Sequence, residues 1–153
     1  MEDEFLMFVA LLFSMLLAQA LPPGPLGPDW KYTTPRDGEV VRLIRTDDSL
    51  DFVVVAKQVC DCQPADAAAQ LKTVLGKLDN VMVNVDETTI CGAPAEHLVA
   101  TGLALVAPRF NMDMYMFRRD DAIYALRYYF KGTSPDKDTE SLLPQLCPAS
   151  TSS

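Results

Sequence analysis

The run LDFVVVAKQVCDCQPADAAAQLKTVLGKLDNVMVNV, residues 50–85, changes its hydrophobic period twice, and those changes decide the fold. From Phe52 to Ala56 apolar residues fill both faces of an extended chain, the pattern of a strand in the middle of a sheet with cover on both sides. At Pro64 the period becomes helical. Ala67, Ala68, Leu71, Val74, Leu75 and Leu78 fall at the i, i+3, i+4, i+7 spacing of one helix face, with Asp66, Gln70, Thr73 and Lys77 mostly opposite. Pro64 suits a first helical turn, Asp66 complements the dipole there, and Asp79-Asn80 ends the helix. Period two then returns, with Val81, Val83 and Val85 alternating with Met82, Asn84 and Asp86. A helix with one apolar stripe, set between strands, is a cover for a sheet.

Reading toward the N-terminus, Trp30–Thr34, Glu39–Arg45 and Leu50–Val59 are predicted strands. They are joined by Pro35-Arg36-Asp37-Gly38 and by the polar connection Thr46-Asp47-Asp48-Ser49. Toward the C-terminus, the strand from Val81 runs to Ile90 and is broken by Gly92-Ala93-Pro94. Another spans Glu96–Val106 and ends at Pro108. Asn111–Arg118 and Ala122–Phe130 form a hairpin around Arg119-Asp120. After Gly132-Thr133, Ser134 caps a short helix with Pro135 in its first turn, Leu142, Leu143 and Leu146 on its apolar side, and Pro144 kinking or splitting it. The order β-β-β-α-β-β-β-β-α predicts an α+β domain, an antiparallel sheet of six to seven strands with helices packed on it.

The ends of the chain read differently. Phe5 to Ala18 is apolar except for Ser14 and closes on Ala18-Gln19-Ala20, a small-x-small cleavage pattern. That length is short for a membrane span and right for a secretory signal, although Glu2-Asp3-Glu4 makes the leading region acidic. Residues 1–20 are therefore expected to be a signal peptide cleaved after Ala20, and the Pro/Gly-rich 21–29 an extended leader. Residues 30–148 form one domain and 149–153 a disordered tail. The expected location is secreted or otherwise extracytoplasmic. The formal charge of −8, with no Lys/Arg cluster beyond Arg118-Arg119 beside Asp120-Asp121, argues against a nucleic-acid partner.

Cys60, Cys62, Cys91 and Cys147 make an even set, which in an exported chain implies disulfides. Cys147 lies near the C-terminus, where a bridge would tie down a fraying end. Cys91–Cys147 is the favoured pair, with Cys60 and Cys62 either bridged to each other or partly free.

Taken together, Trp30 at the start, a helix after the third strand, Cys91-Gly92-Ala93-Pro94-Ala95 leading a strand, and the final Leu146-Cys147-Pro148 resemble secreted bacterial domains of the PsbP/Mog1-like type. The resemblance runs from about Trp30 to Pro148 and is carried mainly by the order of elements. It implies a central antiparallel sheet sandwiched by helices, and it makes Cys91–Cys147 a natural bridge. Domains of this type are mainly accessory or binding modules, among them photosystem extrinsic subunits and a small-GTPase partner, and their functional residues have no counterpart motif here.

No catalytic constellation stands out. His97, the single histidine, lies mid-strand without a nucleophile-elbow pattern to serve it. Cys60-Asp61-Cys62 lacks the Cys-x-x-Cys spacing of a redox dithiol, and Asp61 would raise a thiol pKa. Met112, Met114 and Met116 share one strand face, where soft sulfur could hold Cu(I), with His97 a further candidate ligand. Methionine is also an adaptable core residue. Asp47, Asp48, Asp51, Asp120 and Asp121 lack calcium-loop spacing and read as turn residues. Tyr115, Tyr124, Tyr128 and Tyr129, with Phe117 and Phe130, suit sheet packing and could line a ligand groove. The expected function is a non-catalytic exported binding or accessory domain without a cofactor, its partner a protein, an envelope component or a small ligand. The alternative is a small thiol-redox or Cu(I)-handling protein using Cys60 and Cys62 or the methionine stripe.

Overall fold

A computed structural model describes residues 30–46, 51–103, 110–131 and 142–149. The export signal at 1–20, the leader at 21–29, Asp47-Asp48-Ser49, Pro108, the expected cap at Ser134-Pro135 and residues 150–153 lie outside the described residues. Among the described residues seven strands and one α-helix follow one another: β1 (Trp30–Tyr32), β2 (Glu39–Arg45), β3 (Phe52–Val59), α1 (Pro64–Gly76), β4 (Met82–Ile90), β5 (Ala93–Leu103), β6 (Phe110–Arg119) and β7 (Ala122–Phe130). They form a single antiparallel sheet in the order β1-β2-β3-β7-β6-β5-β4. The described residues thus form an α+β fold, a seven-stranded antiparallel sheet with one helix packed on it.

Period two sorts the side chains onto two faces. One face gathers Leu43, Val53, Val55, Phe117, Leu126 and Tyr128, and Leu142, Leu143 and Leu146 of the C-terminal segment pack against it. The other gathers Leu98, Ala100, Met112, Met114 and Met116 beneath Ala68, Leu71 and Leu75 of α1. The Phe52–Ala56 run lies third in the sheet between β2 and β7, with Val53, Val54 and Val55 all buried. Its two apolar faces match the two clusters.

Three local features depart from the sequence reading. The helix ends at Gly76, about a turn before Asp79-Asn80. There the amides of Lys77 and Leu78 donate to Val74 and Leu75 at three-residue spacing, which tightens and closes the last turn. Gly92-Ala93-Pro94 is not a break. Ile90 pairs with Ala93 across a two-residue turn of Cys91 and Gly92, at φ 55° and 72°, so β4 and β5 form a tight hairpin. Pro94 enters β5 opposite Thr89 of β4, while pairing with β6 starts at Ala95, so its missing N–H removes no bond toward β6. Finally, the described part of the expected C-terminal helix is a single 3-10 turn, Leu143–Leu146, with Pro144 in its first turn where an absent N–H is harmless.

The two adjacent arginines at the end of β6 point to opposite faces and hold two different loops. Arg118 Nη1 donates to the carbonyls of Cys60 and Cys62 at 2.6 and 2.9 Å. Arg119 donates to the carbonyls of Cys91, at 2.5 Å, and Pro148. The sulfurs of Cys91 and Cys147 lie at disulfide distance, as do those of Cys60 and Cys62. Arg118-Arg119 is therefore engaged in the fold, each guanidinium clasping backbone carbonyls of one cysteine loop. Replacing Arg119 by Ala leaves two carbonyls without a charged donor and should lower stability by about 2 kcal/mol. A urea denaturation curve checks this, and an unchanged midpoint would show the clasp to be idle.

Candidate functional site

The apolar stripe of α1 is wider than the surface it covers. Sequence spacing predicts that Val74 and Leu78 are buried with the rest of the stripe, but they are 59% and 48% exposed, and Ala68 is the helix residue that is fully buried. The cause is lateral placement. The helix packs on β4, β5 and β6, toward one edge of the sheet, and leaves β7 and β3 on the same face largely uncovered by it. A groove of about 790 Å³ opens between the helix and this half of the sheet. Its volume falls in the range of small-ligand sites.

Small side chains make the floor concave. Ala56 of β3 pairs with Ala125 of β7, which pairs in turn with Met116 of β6, and all three lie in the groove. Leu71, Val74, Leu75 and Leu78 form the helix-side wall. Tyr129 lines the groove and is backed by further rings: Phe52 stacks on it at 4.4 Å, Phe110 meets Phe52 edge-on at 6.4 Å, and the Arg42 guanidinium lies 4.9 Å above Phe52. The surface is apolar, deformable through its methionines, and open to solvent along one side.

Charge enters this floor at Arg127. Arg42, Val54, Arg127, Met114, Leu98 and Val85 form one cross-strand row, so two arginines flank Val54 on the groove face, roughly 10 Å apart by strand spacing. Arg42 is neutralised by Glu39, its Nη1 2.8 and 3.1 Å from the carboxylate oxygens. Arg127 has no hydrogen bond or ion pair among the described residues, and its Nε is buried without an acceptor. Lys57 also borders the groove, but its ammonium lies 5.8 Å from the Tyr124 ring centroid, on the opposite face of the sheet. Asp66 stands at the helix-side rim in the first turn of α1, exposed to water.

The residues singled out in the sequence are spread over both faces. Met112, Met114 and Met116 lie together on the groove face, 3–4% exposed. His97 belongs to the other face. It pairs with Tyr115, stacks on that ring at 4.3 Å, and brings Nε2 to 3.5 Å from the buried Asp113 carboxylate. The sheet therefore separates His97 from the three thioethers, and the four side chains do not form one metal site. Among the described residues no group of three or more His, Cys, Asp and Glu side chains is placed to hold a metal ion. Neither cysteine pair shows a thiol-redox role; both lie at disulfide distance. Of the aromatics, Tyr129 reaches the groove, whereas Tyr115, Tyr124, Tyr128, Phe117 and Phe130 pack on the opposite cluster. Sequence reasoning missed Arg127. The available signal was a lone arginine on the same strand face as Ala125 and Tyr129.

No family model and no curated protein matches the chain. Among solved structures the chain is similar to LpqN, a protein involved in cell envelope biogenesis of Mycobacterium tuberculosis. The two are 14% identical over 81% of this chain and 75% of that one, with a TM-score of 0.47. A similarity of that size does not extend to function. No described helix is long and apolar enough to cross a membrane.

Proposed function

We propose that this protein is a non-catalytic binding module that acts outside the cytoplasm and takes a small apolar ligand in the groove between α1 and the β3–β7–β6 floor. The carrying observation is the exposed half of the helix stripe. Val74 and Leu78 face an open trough, not a covered core, and burying such apolar surface is worth roughly 25 cal/mol per Å² to whatever fills it. The extracytoplasmic reading is supported by the signal-like residues 1–20 and by four cysteines paired at disulfide distance. N-terminal sequencing of the exported product would find Leu21 first on this reading. The finer architecture we infer is a PsbP/Mog1-like sandwich, supported by the second buried cluster on the face that meets Leu142, Leu143 and Leu146.

Nile red, an uncharged fluorophore that brightens in apolar surroundings, is the probe for the groove. The purified protein should bind it, and Ala125→Phe, which fills the floor, should weaken binding about tenfold or more by forced repacking. Equal fluorescence titrations for the two proteins would remove the groove as the site. A matched melting temperature keeps the comparison free of unfolding.

A further inference from the structure

We infer that the ligand of this groove is an amphiphilic anion, a single acyl or alkyl chain ending in a carboxylate, sulfate or phosphate, with Arg127 holding the head group. The inference rests on the proposed groove reading and adds the chemistry of the ligand. Its starting point is that the chain carries a formal charge of −8, yet no acidic side chain among the described residues reaches Arg127. Arg42, two strands away in the same row, has Glu39 bound to it. Among the described residues one guanidinium on this face is thus matched and the other is not.

An arginine Nε–H taken out of water without an acceptor loses stability, and a fold that keeps it there has an acceptor-shaped deficit. The other buried polar atoms without a hydrogen bond are accounted for locally: Arg45 and Asp51 have further partners, and His97 Nε2 faces Asp113. Arg127 differs because it opens onto the trough. A planar guanidinium offers a forked donor set that suits carboxylate, sulfate or phosphate oxygens, and its bonds to an anion are charge-assisted. Asp66, the acid on the groove, is exposed at the rim, where water screens its repulsion of such a head group. Beyond the head, Ala56, Ala125 and the methionine floor leave a trough for one apolar chain, walled by Leu71 and Leu75. An anion without a tail would leave that surface wet, and a tail without an anion would leave Arg127 unmatched.

Isothermal titration with decanoate, decyl sulfate, 1-decanol and acetate tests this on the purified protein. Decanoate and decyl sulfate should bind and acetate should not. Arg127→Gln should weaken both anions about tenfold or more while leaving 1-decanol within about twofold, and Arg127→Lys should fall between. If decanol binds as tightly as decanoate and Arg127→Gln moves neither, the anion assignment fails and the groove reading stands. If none of the four binds and Nile red is also indifferent to Ala125→Phe, both readings fail. Sedimentation with phosphatidylglycerol vesicles, without binding of free decanoate, would indicate a bilayer surface as the source of the anion and overturn a captured single-chain ligand.

Discussion

Removing the long-range cross-link by Cys91→Ser with Cys147→Ser is expected to lower the unfolding free energy by about 4 kcal/mol in urea under non-reducing conditions. The two cysteines are 56 residues apart, so the bond closes most of the chain from the β4–β5 turn to the C-terminal segment. Opening that loop returns the unfolded chain much of its freedom, while the folded state keeps its sheet. The C-terminal segment adds to the effect. Leu142, Leu143 and Leu146 are 3–4% exposed against the non-groove face, and the cross-link beside them holds them there. Cys60 and Cys62, two residues apart, enclose almost no chain, so Cys60→Ser with Cys62→Ser should change stability far less. Similar losses from both double variants would refute the loop-closure account.

Phe117→Ala is expected to cost about 3–5 kcal/mol, the range for emptying a large buried aromatic site. Phe117 is fully buried on β6, paired with Ala95 of β5 and with Tyr124 of β7, whose ring it meets at 5.7 Å. Arg119 lies over the same ring, 5.7 Å from its centroid, on its way to the Cys91 and Pro148 carbonyls. Truncation therefore removes packing and loosens the clasp on the C-terminal segment together. Equilibrium unfolding measures the loss, and a change below about 1 kcal/mol would place this residue outside the core. Because Phe117 faces away from the groove, Nile red affinity of the remaining folded protein should be nearly unchanged.

Local periodicity carried most of the architecture. The doubly apolar Phe52–Ala56 run, the helical spacing from Pro64 and the alternation after Val81 each name an element without reference to any other part of the chain. The Cys91-Gly92 hairpin was harder to read because cysteine is not a residue that advertises a positive φ, and the proline that follows suggests a break. The groove was not legible for a different reason. Spacing shows that Val74 and Leu78 share a face with Leu71, but which strands lie beneath that face depends on the lateral position of the helix over the sheet. Arg127 is similar: alternation gives its face, and only register across β3, β7 and β6 reveals Val54 and Met114 as its neighbours. Arg118 and Arg119 could be assigned to opposite faces from period two, but the carbonyls they hold come from loops distant in sequence.

Ligand is expected to enter the trough over the methionine floor. Methyl-labelled methionine NMR reads it directly, because Met112, Met114 and Met116 line that floor while Met82, 69% exposed on β4, lies outside it. Titration with Nile red should shift the three β6 methyl resonances together and leave Met82 in place. A shift confined to Met82, or a spectrum in which the bound probe moves none of the three, would place the ligand outside the trough.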